Sequence, residues 1–214
     1  MVYLNIGLGM LFFAGAVSAG IFLARRVCGS LAPLSDGPPP GTPPVRWMYG
    51  IALATGALLG LHAGAVEPAA LLALFLGALL SGCFMAIWYC DTRTGIVPDC
   101  FTLPPLALVL LYGLIDRYVM IFVTAAALFL PFAYSAYRSK GLGMGWGDAK
   151  LVALGGAALS LVGATALAFF SVIGASLAMA IHAKLTKRMH EPIAFAPYLV
   201  VGFECSLASL AWLR

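Results

Sequence analysis

The chain carries eight carboxylates: Asp36, Glu67, Asp91, Asp99, Asp116, Asp148, Glu191 and Glu204. Two stand out by position. Asp91 follows a long apolar run, in YCDTRTGIVPD, and Asp148 precedes another, in GLGMGWGDAKL. Two carboxylates held close together and half shielded from water cannot both ionise easily, so they share a proton. One then serves as base and the other as acid, which activates water against a peptide carbonyl without a metal or a covalent intermediate. Asp36, Glu67 and Asp116 fall in polar loops or at helix ends and read as solvated charges. Glu204 lies inside an apolar run, where an acid is costly. It is kept there either for function or for a hydrogen bond to a neighbouring helix.

Asp148 taken alone is also a good helix cap. Its context argues for more. Gly141, Gly143, Gly145 and Gly147 alternate in front of it. Glycine lets backbone approach a ligand closely and adopt positive φ. These glycines are therefore expected to clear the backbone for a peptide.

The elements that must position this pair are membrane helices. Of 214 residues, 63% are hydrophobic and 9% charged, where a soluble domain carries about 25% charged residues. Spans of about 20 apolar residues are expected near 2–24, 47–65, 69–90, 100–115, 118–137 and 195–213. Pro104 and Pro105 interrupt the fourth early. The run 149–181 is too long for one span, and Gly163 is expected to split it in two. The result is an all-α, polytopic bundle of about eight helices, seven if 149–181 breaks differently, in one membrane-embedded domain, 1–214. Arg25 and Arg26 follow the first run instead of preceding it, so that run reads as a retained helix and not a signal peptide. Residues 25–46 form a Pro/Gly-rich loop.

The net charge of +4 bears on orientation and not on nucleic acid. With the N-terminus outside, the inside loops carry Arg25, Arg26, Arg46, Arg93, Arg138, Lys140, Lys150, Lys184, Lys187 and Arg188. The outside keeps Arg117 and Arg214. Asp91 and Asp148 then share the inside face, and packing of the third helix on the sixth is expected to join them. Small residues in several helices suit close membrane packing. The five cysteines, Cys28, Cys83, Cys90, Cys100 and Cys205, make no CxxC pair. His62, His182 and His190 are scattered and lack H-E-x-x-H spacing. Neither a metal site nor a disulfide framework is expected.

Three stretches in order carry a family resemblance. DTRTGIVPD is similar to a D-x-x-x-x-x-[IV]-P-[DN] pattern, GMGWGDAKL contains G-x-G-D followed by x-K-L, and IAFAPYLVVG (193–202) is similar to I-P-F-G-P-[FY]-L-x-x-G. Together they resemble the type IV prepilin peptidases, membrane aspartic proteases of the GxGD class. The resemblance implies an endopeptidase of the bacterial cytoplasmic membrane that cuts the basic leader from prepilins or pseudopilins at the cytoplasmic face. It makes Asp91 and Asp148 the catalytic pair. It gives Gly143, Gly145, Gly147, Lys150, Pro98, Asp99 and Pro197 substrate-binding or site-shaping places, with Asp99 capping the next helix or shaping the site. The leader's positive charge suits Asp91, Asp99 and Asp148. Long members of the family bind zinc through two CxxC pairs in the first cytoplasmic loop and methylate the new N-terminus with S-adenosylmethionine. Loop 25–46 has one cysteine and no CxxC, so no zinc is expected and S-adenosylmethionine only if methyl transfer is retained. Ala194 and Ala196 replace the usual Pro and Gly of the third stretch. The partners expected are the prepilin and membrane lipid, and no oligomer is required.

Two other readings fit parts of the sequence. A proton- or ion-coupled transporter would use Asp91, Asp148 and Glu204 as a path. It fits poorly with two acids at one face and no visible inverted repeat. An assembly subunit of a secretion machine would tolerate Asn at both aspartates.

Overall fold

The computed structural model describes residues 2–31, 41–62, 68–140, 144–187 and 193–210. Gly141, Gly143, Asp36, Glu67, Arg188, His190, Glu191 and Arg214 lie outside the described residues. Among the described residues the chain forms eight helices and no strand: α1 (Val2–Ser30), α2 (Val45–His62), α3 (Pro68–Thr94), α4 (Asp99–Ile115), α5 (Val119–Arg138), α6 (Trp146–Leu161), α7 (Thr165–Leu185) and α8 (Ala196–Ser209). Four contain stretches long and apolar enough to cross a membrane: Tyr3–Ser30, Ala70–Thr94, Val119–Arg138 and Thr165–Leu185. Helix α4 is a shorter apolar helix.

The break expected near Gly163 is present. Gly163 has φ +77. Its N–H donates to Ser160 O at 2.9 Å, and the Ala164 N–H donates to Leu159 O at 2.8 Å. This doubled pattern closes a helix C-terminus around a left-handed glycine, and α7 starts at once.

Three boundaries differ from the sequence reading. Helix α1 continues past Arg25 and Arg26 to Ser30, because an arginine can stay helical while its long stem carries the charge outward. The expected loop 25–46 therefore begins and ends in helix, and Cys28 lies on α1. Helix α4 runs unbroken through Pro104 and Pro105; neighbouring groups in a bundle satisfy the carbonyls that proline frees. Asp91 lies inside the last turn of α3, and Asp148 is the third residue of α6.

Helix α1 packs on α2 and α3. Gly9 faces Gly56 there and Gly20 faces Gly82, so the backbones nearly touch. Helix α6 is the most enclosed element, buried from Leu151 to Ser160, with α4, α5, α7 and α8 around it. Among the described residues α3 and α6 do not pack on each other, contrary to expectation. Helix α8 lies between them. Its Phe203 stacks on Phe84 of α3, with ring centroids 5.6 Å apart, and its ring occupies the space a side chain at Gly155 of α6 would need. An aromatic ring inserted there holds two helices apart and couples both to the third. Large apolar side chains such as Leu108, Ile115, Phe170 and Leu185 remain exposed, the surface a bilayer covers.

Candidate active site

The site forms at the end of the bundle where α1 and α3 finish and α4, α6 and α8 begin. Helix α3 stops in the left-handed Gly95, φ 68, whose N–H donates to Asp91 O at 2.8 Å. The Thr94 hydroxyl donates to Cys90 O at 2.9 Å and accepts the Ile96 N–H at 3.3 Å. These local bonds fix the turn that carries Asp91. Pro98, extended at φ −70 and ψ 137, then ends the connection as the N-cap of α4.

Asp91 is 5% exposed. Its Oδ2 accepts the Ala196 N–H at 3.2 Å. Ala196 is the first residue of α8, and the N-cap Phe195 supplies no side-chain hydrogen bond of its own. The first N–H groups of a helix lack partners within it and carry the positive end of its dipole. A carboxylate from α3 takes one of them. Pro197 removes one further N–H that would need a partner. The third sequence stretch thus reaches the site through its backbone, and the Ala196 side chain is not asked for chemistry.

Asp148 is oriented in the same manner by its own helix. Its Oδ2 accepts the N–H of Gly145, the N-cap of α6, at 3.3 Å, the reach-back half of a capping box. Its Oδ1 is buried and accepts no hydrogen bond from the described residues. The charge of Asp148 acts on Asp91. Among the described residues each acid is therefore held on one oxygen by a single backbone N–H, and the second oxygen of Asp148 has no partner. A carboxylate oxygen so placed can accept a hydrogen bond from a water and polarise it.

Gly145 and Gly147, the described glycines of the run, each have a structural task. Gly145 spends its N–H on Asp148, and its carbonyl accepts the Ala149 N–H at 3.4 Å. Its backbone is thus not left open for a peptide strand. A Cβ on Gly145 would lie 3.2 Å from Asp148 Oδ2, and one on Gly147 would lie 2.5 Å from the Val97 Cβ. Gly147 lets the start of α6 press against the α3–α4 connection, which brings the first and second sequence stretches together. Gly143 lies outside the described residues.

Asp99 does not cap α4, whose N-cap Pro98 receives no side-chain bond. Instead Asp99 Oδ1 pairs with Lys150 Nζ at 2.6 Å, tying the first turn of α4 to that of α6. Lys150 offsets the charge that Asp99 was expected to offer a basic leader. Val97 and the Ala196 N–H are the site elements that sequence reading missed. A helix start marked by Pro197 was the available signal for the second. Among the described residues no group of three His, Cys, Asp or Glu is placed to hold a metal ion.

Comparison with known proteins places this constellation in a family. Residues 78–183, which include Asp91, Asp99, Asp148 and Lys150, match the type IV leader peptidase family. The chain is 34% identical over 168 residues to a "Prepilin leader peptidase/N-methyltransferase" of Dickeya chrysanthemi, covering 74% of this chain and 58% of that protein. It is 32% identical over 148 residues to a protein of the same description from Escherichia coli (strain K12), covering 64% of this chain and 65% of that protein. The chain thus spans about three-fifths of the length of these curated relatives. No solved structure matches it. The matched segment and the two relatives make this chain a member of the type IV leader peptidase family.

Proposed function

We propose that the chain is a membrane aspartic endopeptidase that removes the basic leader from type IV prepilins or pseudopilins at the cytoplasmic face. The observation that carries this reading is the paired anchoring of Asp91 and Asp148 by the N-terminal amides of α8 and α6. One carboxylate takes a proton from water, and the resulting hydroxide attacks the scissile carbonyl carbon. The protonated partner donates to the carbonyl oxygen. Collapse of the tetrahedral intermediate breaks the C–N bond as a proton passes to the leaving amine. The prepilin's apolar helix would lie in the bilayer against the bundle, with its leader crossing the end where the acids sit. In this reading the whole of 1–214 acts as one peptidase domain in the bacterial inner membrane, N-terminus outside, without obligate oligomers.

The names of the two relatives also carry an N-methyltransferase. The reaction proposed here is hydrolysis alone, and none of the residues above is assigned to S-adenosylmethionine. The test is co-expression with a tagged prepilin. Asp91→Asn and Asp148→Asn should each abolish leader removal at normal membrane levels. Cleavage by both variants would end the aspartic reading.

A further inference from the structure

The sulfurs of Cys28 and Cys90 lie 2.8 Å apart, although 62 residues separate them and both are free thiols. Cys28 sits in the last turn of α1, and Cys90 is the residue before Asp91 on α3. Their exposures differ. Cys90 is fully buried, with its thiol facing Ala24 O at 3.8 Å. Cys28 is half-buried and lines a cavity of about 370 Å³ together with Arg25, Gly29, Tyr89 and Arg93. A second cavity, lined by Leu31, Gly41, Thr42, Pro43, Arg93 and Thr94, also reaches it. One thiol is thus open to solution and the other is placed to resolve whatever the first one forms.

We propose that Cys28 and Cys90 are a reversible redox dithiol whose disulfide bridges α1 to α3 beside Asp91. The consequence for cleavage rests on the peptidase reading above; the bridge itself does not. The oxidant is a low-molecular-weight disulfide. The Cys28 thiolate attacks one of its sulfurs, forming a mixed disulfide and expelling one thiolate. The Cys90 thiol then loses its proton and attacks the Cys28 sulfur, expelling the second. Two protein thiols are oxidised, one small disulfide is reduced to two thiols, and the two protein protons end on the two leaving groups. Arg25 and Arg93 in the cavity wall attract an oxidant that carries carboxylates. At the face proposed for the site, disulfides are uncommon and those that occur are mostly transient and redox-sensing. Closing the sulfurs to a bond of about 2.05 Å draws the α3 end toward α1. A displacement near 1 Å at a catalytic group can cost on the order of 100-fold in rate, so a smaller one should slow cleavage about tenfold.

The test uses the full chain in membrane vesicles with glutathione disulfide as the probe. After oxidation, denaturation and maleimide labelling, two fewer thiols should label than in the reduced protein. Peptide mass analysis should find Cys28 joined to Cys90, with dithiothreitol reversing both results. Full labelling, or a bridge between other cysteines, overturns the proposal. Prepilin cleavage is followed in parallel. It should fall on oxidation, recover on reduction, and become insensitive to glutathione disulfide in Cys28→Ser. A Cys28–Cys90 bridge with unchanged cleavage overturns the coupling to the site. Absence of cleavage in the reduced protein counts against the peptidase reading and leaves the bridge measurement intact.

Discussion

Asp91 and Asp148 were legible as residues because an acid beside a long apolar run has few reasons to be there. What orients them was not legible, because the orienting groups are backbone amides and a missing side chain. Gly147 shows the consequence. A Cβ at this position would meet Val97 Cβ at 2.5 Å, and overpacking of this kind costs about 1–3 kcal/mol. Gly147→Ala should therefore lower thermal stability in detergent and reduce cleavage. Val97→Gly in the same chain should recover part of both, since it removes the Cβ that the added methyl group meets. A double-mutant cycle showing simple additivity would mean that the contact is not what Gly147 serves. Glu204 allows a second prediction. It is fully buried, no hydrogen bond from the described residues closes on either oxygen, and the Thr55 and Ser81 hydroxyls face it. With no counter-charge acting on it among the described residues, its shape and polarity matter more than its charge. Glu204→Gln should keep both membrane level and cleavage, and Glu204→Lys should lose the protein. Loss of cleavage in Gln at normal levels would instead give the acid a role in proton movement.

At the scale of elements, α8 does what the sequence assigned to direct packing of the third helix on the sixth. Period and length show where an apolar helix lies, yet they do not show which helix is inserted between two others. Phe203 is the physical reason for the difference, since its ring fills the space between Phe84 and Gly155. Phe203→Ala should leave a cavity and destabilise the fold by about 3–5 kcal/mol. The start of α8 would then hold Asp91 less firmly, so cleavage should fall further than a matched loss of stability elsewhere in α8 would cause. Thermal melts and cleavage rates on Phe203→Ala and Leu207→Ala separate the two effects; equal rates at equal stability would remove α8 from the site. The α4–α6 tie is weaker. Lys150 and Asp99 are 26% and 58% exposed, and such pairs contribute about 0–1 kcal/mol. Lys150→Met should therefore change cleavage by less than about tenfold, the equivalent of about 1.4 kcal/mol. A complete loss would show that Lys150 touches the substrate.

For the whole molecule, the helix count and the break at Gly163 followed from hydrophobic length and one glycine, because a bilayer admits few alternatives. The clustering of the three motifs was also legible, since chain order puts the starts of α4, α6 and α8 and the end of α3 at one end. The contacts of Asp91 with Ala196 and of Lys150 with Asp99 are the bonds that this clustering makes. Which side of the membrane that end faces is a matter of charge. The ends of α5 and α7 carry Arg138, Lys140, Lys184 and Lys187, and the α4–α5 turn at the opposite end carries Arg117 as its one basic residue. Short loops rich in Lys and Arg stay in the cytoplasm, so the acids should face inward. A cysteine placed at each end tests this directly. Asp116→Cys should react with a membrane-impermeant maleimide once that side of the inner membrane is reached in intact cells. Arg138→Cys should react only after the membrane is permeabilised, with the unmodified chain as the background for its native cysteines. The opposite pattern would put Asp91 and Asp148 on the outer face. A leader held in the cytoplasm could not reach them there, and the proposed substrate would have to be abandoned even if both acids proved essential.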